Sequence, residues 1–196
     1  MRVAGFVFGI FLAHASWAGP IDIRLTAGSG SNGFPVQVFL STAPDDSVAT
    51  VQIALEYDAR VVSFCCAAIG GAASPSTSEL TIIPSSALDA ACDDPARTVV
   101  VAKLTGNVFT GVQLEVLQFY FTFHGSFCNN EPLLTRFSCS CADDGSGLRW
   151  FVHGLNPPHD YCFGDPDLSL HDAAYYRPCS TPVEGVAWSV VKQLFQ

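Results

Sequence analysis

The sequence predicts an all-β protein, an antiparallel β-sandwich of the jelly-roll type, and three observations lead to this fold class. Residues 51–57 alternate apolar and polar side chains, residues 117–123 repeat this pattern, and glycine, proline and aspartate separate the segments. A period of two places every second side chain on one face of a strand, whereas a helix would scatter them around its axis. About seven short strands with few helical patterns are typical of a sandwich.

The first half of the chain is predicted to consist of short strands separated by turns. Strands are expected at 21–25, 36–40, 48–57, 61–64, 80–83 and 98–104. The glycine-rich segment 27–33 and the Pro-Asp-Asp sequence at 44–46 are turn signals between them. The strand that ends at Tyr57 breaks at residues 58–60, and an apolar run follows at once, so we expect the chain to turn a corner there.

The segment 113–124 contains the clearest later strand. Its alternate large residues are Leu117, Phe119, Phe121 and Phe123, with Gln118, Tyr120 and Thr122 between them. Burial of each large side chain contributes about 1.5–3 kcal/mol, and the aromatic, β-branched composition favours a strand over a helix.

The N-terminus has the pattern of a secretion signal. Residues 1–18 combine a positive start at Arg2, an apolar run over 3–13 and a Ser-Trp-Ala cleavage site before Gly19. The run is short for a bilayer span, and no later segment is long and apolar enough to cross one. We therefore expect a secreted or cell-surface protein with no transmembrane segment after signal cleavage.

Composition shifts divide the rest of the chain into a predicted core over 19–125, a cysteine-rich region of closing strands and loops over 126–182, and a tail over 183–196. Apolar residues in the tail fall near helical spacing, which predicts a short amphipathic C-terminal helix. The formal net charge is −9, and clusters of lysine or arginine are absent from the sequence. Such a surface repels phosphate backbones, which argues against nucleic-acid binding.

All eight cysteines follow the predicted signal. They are Cys65, Cys66, Cys92, Cys128, Cys139, Cys141, Cys162 and Cys179. An even number in an exported chain predicts disulfides, while the spacing of these residues does not match zinc knuckles. Pairing of Cys65 or Cys66 with Cys92 would close the loop between neighbouring strands, and the last five are expected to form a disulfide-rich C-terminal extension.

Residues 21–64, IDIRLTAGSGSNGFPVQVFLSTAPDDSVATVQIALEYDARVVSF, resemble the first half of a cohesin-type module. Such modules open with a strand, a glycine-containing turn and a V-x-V-x-L strand, which Val36, Val38 and Leu40 match here. A later strand ends in a Tyr-Asp pair, as at Tyr57. The segment 111–123, GVQLEVLQFYFTF, resembles a further strand of the same modules.

The resemblance covers about residues 21–125, and the cysteines and the last 70 residues depart from it. It implies a jelly-roll sandwich that binds without catalysis, either to a dockerin-like protein partner or to a polysaccharide. Two alternatives remain open from the sequence. One is an exported hydrolase or calcium-dependent enzyme that uses the acidic C-terminal region, and the other is a structural subunit of a surface assembly docked through the tail.

An acidic segment after Gly164 is the candidate metal site. Asp165, Asp167, Ser169 and Asp172 place oxygen-bearing side chains at i, i+2, i+4 and i+7, and calcium loops use the first three of these offsets. However, Leu170 replaces the turn glycine and Tyr176 stands where a carboxylate is needed, so a solvated acidic turn is the favoured interpretation. No other cofactor is indicated.

The candidate binding residues are aromatic. Trp150, Tyr175 and Tyr176 could stack on the apolar faces of sugar rings, although a role in the core is more common for such residues. The sequence has no G-x-S-x-G or H-E-x-x-H motif, so it gives no catalytic residues. A glycosidase pair drawn from Glu56, Asp58 or Glu115 is disfavoured, because Glu56 and Glu115 alternate with core residues and are expected to face solvent.

Overall fold

A computed structural model describes residues 21–30, 32–83, 97–125, 133–138 and 150–176. Within these ranges all regular secondary structure is β-strand. The predicted signal 1–18 and the predicted helix over 183–196 lie outside the described residues. The boundary predicted at residue 125 stays a prediction, and strands from both sides of it contribute to both sheets described below.

Twelve strands are described. They are β1 (Ile21–Ala27), β2 (Gly33–Ser41), β3 (Val48–Asp58), β4 (Val62–Ile69), β5 (Glu79–Ile83), β6 (Arg97–Thr105), β7 (Leu114–Phe123), β8 (Leu133–Phe137), β9 (Val152–Leu155), β10 (Pro158–Tyr161), β11 (Leu168–His171) and β12 (Ala173–Tyr175).

The strands form two sheets. Sheet A has the order β11-β1-β2-β7-β4, and sheet B has the order β10-β9-β3-β6-β5, with β8 beside β3 and β12 beside β8. Neighbouring strands are antiparallel except for β1 and β11, which run parallel with Ile21 opposite Leu168. The predicted antiparallel β-sandwich is confirmed.

The core lies between the sheets and follows from the period of two. On β7, Leu117, Phe119 and Phe121 point inward and are fully buried. Phe121 packs against Tyr57 of β3 with ring centroids 5.1 Å apart, so side chains of the two sheets meet in the middle. Each buried phenylalanine removes a large apolar area from water, which stabilises the fold by about 2 kcal/mol or more.

The predicted corner at residues 58–60 carries the chain from sheet B to sheet A. The guanidinium of Arg60 donates to both carboxylate oxygens of Asp58, at 2.9 and 2.7 Å, and the Arg60 amide donates to Oδ1. The hydrogen bonds from Arg60 lower the pKa of the Asp58 carboxyl. This local network stabilises the turn.

The disulfide prediction is wrong for Cys65 and Cys66. Both lie on the edge strand β4 with exposed, free thiols, because a bulge turns both side chains outward. Cys162 is half-buried after β10. Cys92, Cys128, Cys139, Cys141 and Cys179 lie outside the described residues, so the disulfide-rich extension stays a prediction for them.

Candidate functional site

The outer face of sheet A is open to solvent. We call it the open face and define it by the outward side chains Asp22, Arg24, Gln37, Phe39, Glu115, Gln118, Tyr120 and Thr122. They alternate with core residues along β1, β2 and β7, so the strand period that builds the core also builds this surface. Each of these side chains is at least partly accessible, and Tyr120 is 36% exposed.

A row of hydrogen-bonded polar groups crosses the open face. The amide of Gln37 on β2 donates to Oε1 of Glu115 on β7 at 2.7 Å, and the amide of Gln118 donates to the same oxygen. The hydroxyl of Tyr120 donates to Oε1 of Gln118. These bonds hold three polar side chains in fixed positions beside the exposed tyrosine ring. Preorganised groups of this kind lose less entropy when a ligand binds.

A shallow depression of about 330 Å³ lies next to this row, toward β1. Asp22, Arg24, Gln37 and Phe39 are among the residues that line it. The Asp22 carboxylate is 2.7 Å from Nε2 of His171 on β11, which holds that carboxylate in place. The depression therefore contains a carboxylate, a guanidinium, a side-chain amide and an aromatic ring, which suits a polar ligand or a polar protein side chain.

The part of the outer face of sheet B around β3 is covered, in contrast to the open face. We call it the covered face and define it by the outward side chains Gln52, Ala54, Glu56 and Val101, all of which are buried. The amide of Gln52 donates to the carbonyl oxygen of Trp150 at 3.4 Å. Residues beyond β7 therefore supply part of the cover, and the part of this face around β3 is not available as a flat surface.

The Glu56 side chain is the main departure from the expected solvated position. It points outward from β3 as predicted, yet only 2% of it is exposed, and Nε of Arg136 on β8 donates to its Oε2 at 2.8 Å. Glu115 lies on the opposite sheet. The two glutamates therefore cannot flank one glycosidic bond as a catalytic pair.

A second depression of about 490 Å³ borders Glu56, Arg136 and Asp172. Its two carboxylates already accept bonds that hold β8 in place. Glu56 binds the Arg136 guanidinium, and Oδ1 of Asp172 accepts from the Phe137 amide at 2.9 Å. We interpret Glu56 and Asp172 as residues that stabilise the position of β8, because both carboxylates bond to residues of that strand.

One serine–histidine contact lies near the edge of sheet A. Oγ of Ser63 is 2.5 Å from Nε2 of His124, and the opposite ring nitrogen is 3.3 Å from the carbonyl oxygen of Arg60. In a catalytic triad a buried carboxylate orients the histidine. Here a backbone carbonyl takes that place and both side chains are exposed, so the contact gives no activated nucleophile.

The three predicted aromatic binding residues do not form one exposed surface. Trp150 is buried and lies under the ammonium of Lys103 at 5.4 Å on the side of sheet B. Tyr175 is buried between the sheets, where its ring stacks on Phe34 with centroids 4.5 Å apart. Tyr176 is 56% exposed.

The predicted metal ligands are engaged with different partners. Asp165 is 2.8 Å from Nε2 of His159 and accepts from the Asp167 amide at 2.9 Å, while Asp172 binds the Phe137 amide. In the ranges that the structure describes, no group of three or more acidic, histidine or cysteine side chains is placed to hold a metal ion. Calcium binding stays an expectation from sequence.

The polar row on the open face was missed as a site by sequence reasoning. Its signal was present, because Gln118 and Tyr120 alternate with the phenylalanines of β7. What the sequence does not show is which outward faces remain open after the chain has folded, and this decides whether such a row is a site.

Solved cohesin structures are among those similar to this chain. A type I cohesin named OlpA from Clostridium thermocellum, solved in a cohesin–dockerin complex, matches with a TM-score of 0.50 at 12% identity and covers 80% of this chain and 99% of that chain. A ScaB type I cohesin from Pseudobacteroides cellulosolvens matches at 9% identity over 84% and 96% of the two chains, with a TM-score of 0.48. The sixth cohesin of scaffoldin B from Acetivibrio cellulolyticus matches at 12% identity over 78% and 97%, with a TM-score of 0.46.

At this level of identity the OlpA match shows the fold alone, and the chain has a cohesin-type β-sandwich fold. Residues 21–125 are about half of the chain, so the match extends beyond the part on which the sequence resemblance rests. No protein-family model and no curated protein matches the chain. The part that the structure describes contains no helix long and apolar enough to cross a membrane.

Proposed function

We propose that this chain is a non-catalytic binding module that recognises a protein partner through the open face of sheet A. The single observation that carries the proposal is the contrast between the two outer faces. One is covered by the protein's own chain, and the other is accessible, hydrogen-bonded into a fixed arrangement and bordered by a depression. A preorganised surface with an exposed tyrosine suits partner recognition, because rigid aromatic side chains contribute much of the energy at protein interfaces.

The partner class follows by analogy with the fold. OlpA was solved in a complex with a dockerin, which makes a dockerin-type module the first partner to test. The net charge of −9 supports faster association with a basic partner at low salt.

A polysaccharide is the second candidate ligand, and a specific observation favours it. The depression combines Asp22, Arg24 and Gln37 with the ring of Phe39. Sugars are recognised by amide and carboxylate hydrogen bonds together with aromatic faces that pack on their apolar surfaces.

We also propose that the protein acts outside the cell, after removal of residues 1–18. The support is the n-region, the apolar run and the small-x-small site before Gly19. N-terminal sequencing of protein recovered from the medium or the cell surface should begin at Gly19. An N-terminus that retains Met1 would contradict this part of the proposal.

The binding proposal is tested with the mature chain, a panel of recombinant dockerin modules and a panel of soluble polysaccharides. Two tyrosines form a matched pair. Tyr120→Ala changes the open face, and Tyr176→Ala changes an exposed tyrosine that follows β12 of sheet B. For whichever ligand binds, Tyr120→Ala should weaken affinity at least about tenfold, and Tyr176→Ala should change it less than about twofold.

Each outcome of this experiment has a consequence. Binding to a dockerin identifies the protein-recognition candidate, and binding to a glycan alone identifies the second one. A loss of affinity with Tyr176→Ala and none with Tyr120→Ala would support binding at the aromatic residues predicted from sequence. It would exclude the open face as the binding surface. No binding to either panel would overturn both candidates.

A further inference from the structure

Strand β4 carries two neighbouring cysteines whose side chains lie on the same side of the sandwich. Phe64 points toward the core, and a bulge between Phe64 and Cys66 inserts Cys65 as an extra residue. Cys66 then pairs with Tyr120 on β7. Because a bulge interrupts the alternation of a strand, Cys65 and Cys66 are both exposed, and Ala67 again packs against the core.

The two thiols are free and hydrogen-bonded to each other. They are also accessible, since β4 is the edge strand of sheet A and both cysteines border an open depression of about 320 Å³ beside Pro35 and Thr122. A dithiol that is exposed, adjacent and in mutual contact has the arrangement that thiol–disulfide exchange requires.

We propose that Cys65 and Cys66 form a modification site at which the two neighbouring thiols are reversibly oxidised to a vicinal disulfide. The co-reactant is a small-molecule disulfide of the glutathione type. The site adjoins Tyr120 and Thr122 of the open face, but the assignment does not depend on which ligand that face binds, and it differs from the pairing with Cys92 that the sequence predicts.

The oxidation proceeds by two exchange steps. The thiolate of Cys65 attacks one sulfur of the small disulfide, forms a mixed disulfide and releases one small thiol. The thiolate of Cys66 then attacks the sulfur of Cys65, forms the Cys65–Cys66 bond and releases the second small thiol. The protein loses two protons and two electrons, and the small disulfide is reduced to two thiols.

The order of the steps follows from the contact between the thiols. The hydrogen bond to Cys65, followed by burial, raises the pKa of the Cys66 thiol. A raised pKa lowers the thiolate fraction of Cys66, and Cys65 is proposed as the first nucleophile.

The resulting bond should be easily reduced. Neighbouring Cα atoms are about 3.8 Å apart, which is closer than the separation of about 4.4–6.8 Å in most disulfides. Departures from ordinary disulfide geometry store strain and make the bond more reducible. The site therefore fits a reversible modification better than a permanent cross-link.

The test uses the full chain in glutathione buffers that range from fully reduced to fully oxidised. Samples are quenched in acid, alkylated with iodoacetamide and digested with trypsin and a glutamate-specific protease. Cleavage after Arg60 and Glu79 releases the peptide 61–79, whose only cysteines are Cys65 and Cys66. Mass spectrometry then separates the internal disulfide from a bond to Cys92, because such a bond would join 61–79 to a second peptide.

In oxidised buffer we expect most of this peptide to carry no alkyl group and to be two hydrogens lighter than the reduced peptide. After treatment with dithiothreitol and renewed alkylation it should be doubly alkylated. In Cys65→Ser the remaining Cys66 should carry glutathione, with no internal bond. The proposal is overturned if the wild-type peptide stays doubly alkylated in every buffer, carries glutathione without closing the bond, or is joined to a peptide that contains another cysteine.

Discussion

The two outer faces of this sandwich come from the same strand period but have different fates. On sheet A the outward side chains Gln37, Glu115 and Gln118 bond to one another and remain accessible. On sheet B the outward side chains Gln52 and Glu56 are buried under other parts of the chain and bond to them.

Polar residues on a strand can therefore serve binding or stability, and the segments that cover the strand decide which. A glutamate on an open strand is solvated and contributes little to stability, whereas the same residue under a cover needs a partner because a buried unpaired charge is costly. Substitutions on each face separate the role in binding from the role in stability.

The largest expected effect is on the ion pair of the covered face. Arg136→Met should lower the free energy of unfolding by about 3 kcal/mol, because it leaves the buried Glu56 carboxylate without its cation. Chemical denaturation at pH 7 measures the change.

Arg60→Met is the matched control for this variant. It breaks the pair with Asp58, in which the arginine side chain is 74% exposed, and should cost less than about 1 kcal/mol. Equal costs for the two arginine variants would mean that Glu56 is solvated and that sheet B is not covered.

A pair of glutamine variants compares the two faces directly. Gln52→Ala removes a buried side chain and its bond to the Trp150 carbonyl, so we expect a loss of about 2 kcal/mol in unfolding free energy. Gln118→Ala on the open face should change it by no more than about 0.5 kcal/mol and should weaken partner binding instead. A larger loss of stability for Gln118→Ala than for Gln52→Ala would refute the assignment of the open and covered faces.

A smaller change in the free energy of unfolding, of opposite sign, is expected when Asp46 is replaced. This residue lies in the turn that joins β2 of sheet A to β3 of sheet B. Burial, followed by the charges of Asp45 and Asp167, raises the pKa of this carboxyl, and its Oδ2 has no hydrogen-bond partner among the described residues. A raised pKa means that the folded state binds the proton more tightly than the unfolded state. Stability is therefore lost as the pH rises through the interval between the two pKa values.

Asp46→Asn should thus raise the free energy of unfolding by about 1 kcal/mol at pH 7. The gain should disappear below about pH 4, where the carboxyl is protonated in both states. Thermal unfolding of the wild type and the variant at pH 7 and below about pH 4 measures this gain. A gain of the same size at both values would show that the charge of Asp46 is not its cause.

The sequence predicted the sandwich because strand periodicity is local. The inward phenylalanines of β7 and the corner after Tyr57 are visible in short windows, and the structure confirms both. The outward direction of Glu56 was also predictable. Its burial was not, because its partner Arg136 lies on β8, which is far away in sequence and whose placement beside β3 depends on the whole fold.

The same reason explains what was missed in the site. Tyr175 and Trp150 looked like candidates by residue type, yet packing buries both of them. The exposure of Cys65 and Cys66 depends on a bulge, and a single inserted residue leaves no clear mark on an apolar pattern. Residue type and spacing thus predicted the elements, while exposure followed from long-range packing.

Recognition is assigned to the open face, and the covered face takes no direct part in it. Hydroxyl-radical footprinting of the mature chain, alone and saturated with a dockerin or polysaccharide that it binds, measures both faces in one experiment. We predict that the ligand protects Phe39 and Tyr120 from oxidation and leaves the low reactivity of Trp150 unchanged. Protection confined to Tyr176 or to residues of sheet B, with Phe39 and Tyr120 as reactive as before, would contradict the account.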